Sequence, residues 1–477
     1  MADLWDALIG ERPASTESVP ITNVVIDSRQ CEPGSVFVAL GGERVDGHQF
    51  IGDALARGAI AVIAEARARG QGLGGSLNLI DVAGLQPNPS PAPGPAVFIA
   101  PSSLGSLQKV AGYWRRRFPK LVAIGITGSV GKSSTKELTY TVLKQRYATL
   151  KSEGNFNNEI GLPLTLLKLN DRHERAILEM GMYALGEIRT LCDMARPRIG
   201  IVTVVGPVHL QRLGSIENIA RAKSELVEAL PDDGYAILNG DDSRVRAMQQ
   251  KTRAKVFFYG LDSSNHIWAS DIEGYGLEGT GFTLHYGHKA LRVRIPLLGQ
   301  HSVHNALAAT AAGLVEDLSW EEILNGLQDT SAQLRLIAVP GKNGITILDD
   351  SYNASPHSVL AALNLIQDLG GRKIVILGDM LELGDYEREG HRLVGIRAAD
   401  VADVVVAVGS LGHLIGAAAE EAGHPHTFFA QDNDEAVHIV EPLTRAGDIV
   451  LVKGSRGAHM EDIVATLAAE ADEGREH

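Results

Sequence analysis

Short apolar runs alternate with amphipathic stretches along nearly the whole chain. The runs at 121–126 and 373–377 are typical, because each is long enough for a buried strand and leads to a stretch with helical spacing. Regular alternation of this kind is typical of α/β domains with largely parallel sheets. We therefore predict the α/β fold class.

The first interruption of this pattern is the proline-rich stretch 86–95. Proline lacks a backbone N–H and fixes its own φ angle, so this stretch cannot form regular structure. A strand at 96–100 and a helix at 103–117 are predicted after it. The stretch is therefore interpreted as a surface loop inside the first domain.

A second break falls near Thr330-Ser331, after a helix predicted at 320–327. Beyond it a new series of strands begins, at 345–348, 373–377, 404–408 and 448–452. A chain of 477 residues is also too long for one ordinary core. We expect three α/β domains, residues 1–105, 106–332 and 333–477.

Composition and charge narrow the class of protein. The net charge of −14 argues against nucleic acid as the main partner, since a phosphate backbone attracts a positive surface. Cys31 and Cys192 are far apart and lack metal-ligand spacing, so neither a disulfide framework nor a zinc site is indicated. The first residues do not resemble a signal peptide, and no apolar run reaches the ~20 residues that cross a bilayer. We expect a cytoplasmic protein without membrane insertion.

A short glycine loop, TGSVGKSS at 127–134, lies between the strand at 121–126 and a helix-forming stretch. Backbone N–H groups of such a loop can bind a polyphosphate, Lys132 can reach its oxygens, and the Ser133 hydroxyl can ligate Mg²⁺. Two residues, not four as in the general P-loop, separate Gly128 from Gly131. A plain glycine turn before a helix is the alternative. The strand in front and the helix behind favour ATP binding.

Two ionisable side chains follow strands of the predicted central domain. Glu179 comes after the run 176–178, and His209 comes after the run 199–205. Ligands of open α/β sheets bind at the carboxyl ends of the strands, where a carboxylate and an imidazole could hold a metal near ATP. For each residue, a position in an ordinary surface loop is an equally good interpretation.

Lys223 lies on the apolar face of a helix predicted at 215–230 and capped by Ser215. Burying an isolated ammonium is costly, so the side chain should extend to solvent or pair with a carboxylate. A third option is an amine with a lowered pKa that reacts with CO₂, giving an anionic carbamate that can ligate a metal. The residues alone favour a lysine that extends to solvent.

Five motifs, in their order and spacing, resemble those of the Mur ligases, ATP-dependent amide-forming enzymes of peptidoglycan synthesis. The motifs are 127–133, Glu179-Met180-Gly181, His209, Ala222-Lys223-Ser224-Glu225 and 239–242. The resemblance implies an N-terminal UDP-sugar-binding domain, a central P-loop ATPase-like domain and a C-terminal Rossmann-like domain. It implies ATP and Mg²⁺ as cofactors.

Further motifs are similar to those of the family branch that joins D-alanyl-D-alanine to UDP-MurNAc-tripeptide. They are 27–29, 46–50, 154–161, 349–356, 378–384 and 453–457. The branch that adds the third peptide residue carries an Asn-Pro-Arg motif that this sequence lacks. The resemblance implies that ATP phosphorylates the tripeptide carboxylate and that the dipeptide amine attacks the acyl phosphate. It implies these two substrates as partners, and we expect a monomer.

The resemblance also implies a role for individual residues. Catalytic roles fall to Lys132, Glu179, His209 and Lys223, the last of which is typically carbamylated in this family. The metal ligands would be Ser133, Glu179, His209 and Lys223. ATP would be bound by Gly128, Ser129, Val130, Gly131, Lys132, Ser133, Ser134, His301, Asn305, Arg335 and Asp350. Substrate contacts would come from Ser28, Arg29, Asp46, Gly47, His48, Asn155, Asn157, Asn158 and Asn353.

Some residues depart from the family pattern. Ser133-Ser134 replaces the commoner Thr-Thr, which keeps the metal-binding hydroxyl, and Ser302 stands where Asn is usual. Val205 and Val208 replace the usual Asn and Ala before His209. These changes leave the fine adenine and metal geometry open but not the class of reaction.

The sequence also allows three alternative functions to be compared with this one. Another Mur ligase or a folylpolyglutamate-type ligase would use the same chemistry on a different acceptor, but the N-terminal domain and the motif at 350–356 argue against both. A Mur-like subunit that pairs with a glutamine amidotransferase carries a cysteine zinc ribbon, which two cysteines cannot build. A P-loop kinase or GTPase would leave the C-terminal domain unexplained.

Overall fold

The computed structural model describes residues 1–10, 19–42, 45–70, 77–83, 94–207, 210–299, 301–329, 337–367 and 369–469. Contacts group the chain into two compact units. One comprises Met1–Gly125, Tyr147–Met182 and Gly186–Arg198, and the other comprises Ile126–Arg146, Tyr183–Leu185 and Ile199–His477. In the described ranges, every helix is too short or too polar to cross a membrane.

The N-terminal sheet has five strands in the order β1-β2-β3-β5-β4, all paired in parallel. The elements are α1 (Ala2–Leu8), β1 (Val24–Val25), β2 (Val36–Val38), α2 (Ile51–Ala56), β3 (Ala61–Glu65), β4 (Asn78–Asp81), β5 (Ala96–Ala100) and α3 (Ser103–Arg116). Side chains alternate between the sheet faces, so Val36 packs in one core with Trp5 while Phe37 packs in the other with Ile51. Both faces are thus covered, as in a parallel sheet of the predicted class. Of the proline-rich loop, only Gly94 and Pro95 lie within the described residues.

The central sheet has nine strands in the order β14-β13-β12-β11-β10-β9-β6-β8-β7. Its first elements are β6 (Val122–Thr127), α4 (Lys132–Leu143), β7 (Thr149–Lys151), α5 (Gly161–Leu166), β8 (Arg175–Glu179), α6 (Glu187–Ala195), β9 (Ile199–Val202), α7 (Leu210–Leu213) and α8 (Ile216–Glu228). The others are β10 (Tyr235–Asn239), α9 (Ser243–Ala247), β11 (Lys255–Gly260), β12 (Ile267–Gly274), β13 (Thr280–Tyr286), β14 (Lys289–Ile295), α10 (His301–Val315) and α11 (Trp320–Gln328).

Strands β12, β13 and β14 pair antiparallel, whereas β9 to β12 pair in parallel. The sequence analysis missed this antiparallel extension. Buried and exposed positions mix along these strands and tight turns rather than helices connect them, so the alternation of apolar runs and helices stops here. Strand β9 is also shorter than the run predicted at 199–205, since it ends at Val202.

The C-terminal sheet has six strands in the order β15-β16-β20-β17-β18-β19, and only β15 runs antiparallel to its neighbour among the pairs described. Its elements are β15 (Ile337–Pro340), β16 (Thr346–Asp349), α12 (Pro356–Gln367), β17 (Lys373–Leu377), α13 (Glu387–Val401), β18 (Val404–Val408), α14 (Gly409–Glu421), β19 (Thr427–Ala430), α15 (Asn433–Val440), β20 (Ile449–Lys453) and α16 (Glu461–Leu467). Neighbouring residues of β17 again face opposite cores, with Val375 on one side and Ile374 on the other. The strands predicted at 373–377 and 404–408 have these bounds in the structure. The predicted break at 330–331 lies outside the described residues.

Candidate functional site

The glycine loop leaves β6 in a conformation that only glycine adopts easily. Gly128 has a φ of +150°, and a Cβ atom placed on it would lie 1.8 Å from the Thr203 hydroxyl oxygen. That hydroxyl donates a hydrogen bond to the Val130 carbonyl at 2.6 Å. Thr203 directly follows β9. This residue therefore packs against the loop and leaves no space for a side chain at position 128.

Ser129 ties the same loop to the residues that follow β9. Its backbone N–H donates to the Val204 carbonyl at 2.7 Å. Its hydroxyl donates to the Gly206 carbonyl at 3.0 Å and accepts from the Gly206 N–H at 2.9 Å. These bonds also explain why β9 ends early, because residues 203–206 pair with the loop.

Gly131 ends the loop in the left-handed region, with a φ of +87°, and α4 begins at the next residue. A Cβ atom at this position would lie 2.8 Å from the side-chain oxygen of Asn305. That oxygen, on α10, accepts a hydrogen bond from the Thr135 hydroxyl of α4 at 3.1 Å. The predicted ATP-binding residue Asn305 therefore lies against the start of α4 and helps to fix the loop.

Lys132 is the first residue of α4. Its ammonium donates to the carbonyl oxygens of Gly128 at 2.8 Å and Ser129 at 3.4 Å. The positive charge is thereby held at the glycine loop, next to the helix N-terminus that also favours anions. Ser133 and Ser134 follow on the first turn and are partly buried.

We expect the Gly128→Ala variant to bind ADP at least about 5-fold more weakly than the wild type, because strain of this kind costs about 1–3 kcal/mol. The added methyl group must displace Thr203 and the hydrogen bond that it donates to Val130. Isothermal titration calorimetry with ADP measures the effect. Gly206→Ala is the matched control, since its Cβ would meet only the Cβ of Ser129 at an ordinary 3.7 Å. Equal affinities for all three proteins would contradict the assignment.

Lys223 is buried on α8, with 3% of its surface exposed. The interpretation that it extends to solvent is therefore wrong, whereas the predicted helix and its Ser215 cap are confirmed, the Ser215 hydroxyl accepting from the Asn218 N–H. Burial lowers the pKa of the Lys223 ammonium well below its ordinary value, and the positive charge of Lys132 lowers it further. The positive charge of Lys132 would therefore repel a protonated Lys223. A neutral amine is the form of lysine that reacts with CO₂.

The lowered pKa predicts a pH-dependent difference in stability between the wild type and Lys223→Met. The unfolded chain binds a proton on this lysine up to its ordinary pKa of 10.5, while the folded chain loses that proton at lower pH. The free energy of unfolding of the wild type should therefore rise relative to the variant, by up to about 1.4 kcal/mol per pH unit between the two pKa values. Metal-free, CO₂-free urea titrations from neutral pH to pH 10.5 measure it, with the exposed Lys251→Met as control. A difference that stays constant over this range would contradict a neutral Lys223.

Glu179 ends β8 and is fully buried. Its Oε1 atom accepts a hydrogen bond from the Asn157 side-chain amide at 2.9 Å, and its own N–H donates to the Ser152 hydroxyl at 3.3 Å. The Asn157 carbonyl in turn accepts from the Gly181 N–H at 2.7 Å. A buried carboxylate at the end of a strand has the chemistry of a metal ligand, and the surface-loop interpretation of Glu179 is wrong.

The other two asparagines of the predicted substrate motif have different surroundings. The Asn158 side-chain oxygen accepts from the N–H groups of Ile160 at 3.2 Å and Gly161 at 2.9 Å, so it caps the start of α5. Asn155 is exposed. Of the three asparagines, the structure thus brings Asn157 to Glu179 and gives Asn158 a local capping bond.

The predicted UDP-sugar residues form a polar group in the N-terminal domain. His48 is fully buried, where its Nδ1 atom donates to Asp46 at 2.7 Å and its Nε2 atom accepts from the Glu65 N–H at 3.0 Å. Asp46 also accepts from Arg67 at 3.1 Å. Both ring nitrogens of His48 are thus used inside the protein, so the histidine orders this loop. Gly47 packs tightly against the backbone of Leu40, since a Cβ atom at position 47 would lie 2.8 Å from the Leu40 carbonyl oxygen.

Ser28 and Arg29 occupy a short 3₁₀ helix after Asp27 in the same domain. Ser28 is buried, and its hydroxyl bonds to Asp53, which lowers the pKa of that carboxyl. Arg29 has 81% of its side chain exposed while its guanidinium contacts Asp27 at 2.6 Å. Of these two residues, Arg29 is the one that a ligand in solvent can reach.

At the carboxyl edge of the C-terminal sheet, Asp350 and Asn353 follow β16. Lys453, the last residue of β20, contacts the Asp350 carboxylate at 2.6 Å and the Asn353 carbonyl oxygen at 2.9 Å. The Asn353 side-chain oxygen accepts from the Ala354 N–H at 2.9 Å. Two predicted site residues are therefore joined by a lysine to which the sequence analysis gave no role.

Three predicted residues lie partly or wholly outside the described part of the chain. His209 and Arg335 are not among the described residues, and of His301 only the backbone is described, at the start of α10. Their roles stay predictions.

The sequence analysis assigned no function to three residues that shape the site. Thr203 supports the glycine loop, Lys453 holds Asp350, and His304 donates from Nε2 to Asp241 at 2.8 Å. Burial alone would raise the pKa of Asp241, but the bonds from His304 and two backbone amides outweigh it and lower the value to about 2. The quoted motif at 453–457 contained Lys453, but nothing in the sequence pairs any of the three side chains with its partner.

Models of known protein families match three segments of the chain. Residues 126–313 match the Mur ligase middle domain, 334–456 match the Mur ligase glutamate ligase domain, and 20–81 match the Mur ligase family catalytic domain. These three matches, with the three α/β sheets, confirm the predicted fold class of three α/β domains. The exact boundaries near 105 and 332 stay predictions.

Individual relatives are similar along their full length. The UDP-N-acetylmuramoyl-tripeptide–D-alanyl-D-alanine ligase of Bacillus subtilis is 36% identical, covering 94% of each chain. The crystal structure of MurF from Acinetobacter baumannii superposes with a TM-score of 0.83 at 29% identity, covering 98% of both chains. MurF ligase from Thermotoga maritima, solved in complex with ADP, has a TM-score of 0.77 at 26% identity and covers 94% of this chain and 97% of its own.

Proposed function

The chain belongs to the Mur ligase family, and from this premise we propose how its residues join D-alanyl-D-alanine to UDP-MurNAc-tripeptide at the expense of ATP. It is an ATP-dependent ligase that forms a C–N bond in peptidoglycan precursor synthesis. The observation that carries the residue assignment is the glycine loop, which places Lys132 at a helix N-terminus within electrostatic reach of the buried Lys223.

The reaction has two chemical steps. An oxygen of the tripeptide's free carboxylate attacks the γ-phosphorus of ATP, so that the bond to the β-phosphate oxygen breaks and ADP leaves. The amine of D-alanyl-D-alanine then attacks the acyl carbon, the acyl–oxygen bond breaks, and phosphate leaves as the amine loses a proton. The products are UDP-MurNAc-pentapeptide, ADP and phosphate.

The glycine loop binds the polyphosphate in this scheme. Backbone N–H groups at 128–134 donate to its oxygens, and Lys132 exchanges its carbonyl partners for the phosphoryl oxygens that gain charge during transfer. His301, Asn305, Arg335 and Asp350 complete the ATP site by resemblance to the family. The folded conformation of the loop supports this assignment, because both glycines are required by their surroundings.

Mg²⁺ is a hard cation that prefers oxygen ligands, which the Ser133 hydroxyl, the Glu179 carboxylate and a Lys223 carbamate would supply. Ser133 and Glu179 would hold the ion bound to ATP, and His209 with Lys223 would hold a second ion. Bound Mg²⁺ supplies positive charge that stabilises the moving phosphoryl group. The Asn157 amide donates to the Glu179 Oε1 atom and so helps to hold the carboxylate in place.

Lys223 is proposed to act as its carbamate. Carbamylation replaces a buried neutral amine by an anion, which the positive charge of Lys132 attracts. The amine gives up a proton and forms a bond to the carbon of CO₂, which leaves two oxygens for metal binding. The buried position and the lowered pKa of Lys223 support this modification.

Substrate contacts are proposed for Ser28, Arg29, Asp46, Gly47 and His48 in the UDP-sugar domain, and for Asn155, Asn157, Asn158 and Asn353 elsewhere. The exposed Arg29 suits direct contact with a phosphate, whereas the buried His48 suits the support of a loop. A monomeric, cytoplasmic enzyme remains our expectation.

An ADP-release assay against a panel of acceptors tests the proposal. The enzyme is incubated with ATP, Mg²⁺ and UDP-MurNAc-tripeptide in its lysine and diaminopimelate forms, and each reaction receives D-alanyl-D-alanine, D-alanine, a diamino acid or glutamate. We expect ADP release with D-alanyl-D-alanine to exceed release with any single amino acid. A preference for glutamate or a diamino acid would instead support the folylpolyglutamate-type or the other Mur-type alternative.

A further inference from the structure

Lys453 is a buried cation at the carboxyl edge of the C-terminal sheet. Only 2% of its side chain is exposed, compared with 14% for its partner Asp350. Its ammonium lies 2.6 Å from the Asp350 Oδ2 atom and 2.9 Å from the Asn353 carbonyl oxygen. The lysine therefore spans from the last residue of β20 to the loop that follows β16.

The backbone pairing of two strands places these groups near each other. Strands β16 and β20 pair in parallel, and the Asp350 N–H continues the ladder by donating to the Val452 carbonyl at 3.0 Å. Asp350 thus starts its loop beside the last residues of β20. The loop has further anchors, because the Ser351 N–H donates to Asp349 at 3.0 Å and the Ser455 hydroxyl donates to the Ala354 carbonyl at 3.4 Å.

Burying an ammonium costs free energy, and well-packed apolar residues often replace a buried ion pair without loss of stability. Stabilisation of the fold alone therefore does not explain the Lys453–Asp350 pair. The pair has a specific effect on Asp350. One carboxylate oxygen is fixed by Lys453, and the cation neutralises a charge that would otherwise repel a nucleotide polyphosphate. The second carboxylate oxygen keeps its capacity to accept a hydrogen bond.

We propose that Lys453 is a positioning residue for the nucleotide, which acts by orienting and neutralising Asp350. This inference rests on the proposed function, in which Asp350 belongs to the ATP site, and it adds a residue to which neither the sequence motifs nor the comparisons assign a role. Lys453 itself touches the protein, not the nucleotide.

The test compares four proteins: the wild type, Lys453→Met, Asp350→Asn and the double variant. Because Lys453→Met leaves the Asp350 carboxylate without its cation, we expect ADP to bind at least about 10-fold more weakly to this variant. If the lysine acts through Asp350, the double variant binds ADP as weakly as Asp350→Asn and no more weakly. In turnover, the KM for ATP should rise by a similar factor while the KM for D-alanyl-D-alanine stays unchanged.

Arg372→Met is the matched control. Arg372 contacts Asp448 at 3.1 Å and the Leu443 carbonyl oxygen at 2.9 Å, so it also joins a carboxylate to a backbone carbonyl. This pair precedes β17 and β20, at the opposite edge of the same sheet. We expect Arg372→Met to lower the melting temperature as Lys453→Met does, without changing the affinity for ADP.

The outcomes separate this inference from the proposed function. If the wild type binds ADP and makes the amide, but Lys453→Met binds ADP within twofold of it, the positioning role is overturned and the function stands. A double variant whose affinity for ADP falls by the product of the two single-variant factors would also overturn it, because Lys453 would then act on the loop independently of Asp350. A wild type that releases no ADP with any acceptor would overturn the proposed function, while ADP affinity still reports on Lys453.

Discussion

Replacing Lys132 with methionine will lower the rate of ADP formation by about a thousandfold, the effect typical of losing a charge that stabilises a transferred phosphoryl group. The side chain keeps nearly the same length, so the loss is one of charge. Lys132 donates hydrogen bonds to carbonyl oxygens of the glycine loop, and its charge lowers the pKa of the buried Lys223. The fold should survive, because the loop is also held by Ser129 and Thr203.

The measurement is steady-state ADP release with saturating UDP-MurNAc-tripeptide and D-alanyl-D-alanine, alongside the melting temperature. Lys144→Met is the matched control, since Lys144 lies at the other end of α4 and contacts Asp329 at 2.8 Å in a partly exposed pair. Such pairs contribute about 0–1 kcal/mol, and Lys144 lies away from the glycine loop. A Lys132→Met enzyme that forms ADP as fast as Lys144→Met would disprove the assignment of the glycine loop.

Replacing Lys223 with alanine will lower turnover by at least about a hundredfold, because it removes both the proposed carbamate and the metal ligand that the carbamate provides. The fold should remain, because the variant removes an amine whose charged form is disfavoured by burial and by the charge of Lys132. Wild-type activity should fall in CO₂-free buffer and return with bicarbonate. The variant should not respond to bicarbonate.

Arg221→Ala provides the comparison on the same helix, because Arg221 is exposed whereas Lys223 is buried. It should keep wild-type turnover and the wild-type response to bicarbonate. Mass spectrometry of the native protein should find the added CO₂ on the wild type and on Arg221→Ala. Near wild-type turnover by Lys223→Ala would rule out the carbamate.

The sequence predicted the α/β class and the P-loop position well because both depend on local patterns. Two strands of the C-terminal sheet have their predicted bounds, since apolar runs at 373–377 and 404–408 are buried on both faces. The antiparallel strands β12 to β14 were missed because buried positions mix with partly or fully exposed ones along each of them. Their weaker apolar pattern resembles that of a loop.

The site was harder to predict where its chemistry depends on tertiary contacts. A lysine on an apolar helix face gives no sign of whether it extends to solvent, and the burial of Lys223 beside Lys132 comes from the packing of α8. His48 stands in a motif that suggested substrate binding, yet both ring nitrogens bond inside the protein. Lys453 was visible in a quoted motif, but its partner Asp350 is 103 positions away in the sequence. Only the sheet brings the two together.

The central claim is that ATP activates the tripeptide carboxylate as an acyl phosphate before the dipeptide attacks. The most direct measurement uses UDP-MurNAc-tripeptide whose free carboxylate carries heavy oxygen, with ATP and D-alanyl-D-alanine, and weighs the products by mass spectrometry. We predict UDP-MurNAc-pentapeptide, with one heavy oxygen transferred from the carboxylate to the released phosphate. Phosphate that contains no heavy oxygen, or ADP formed without the pentapeptide, would contradict the account.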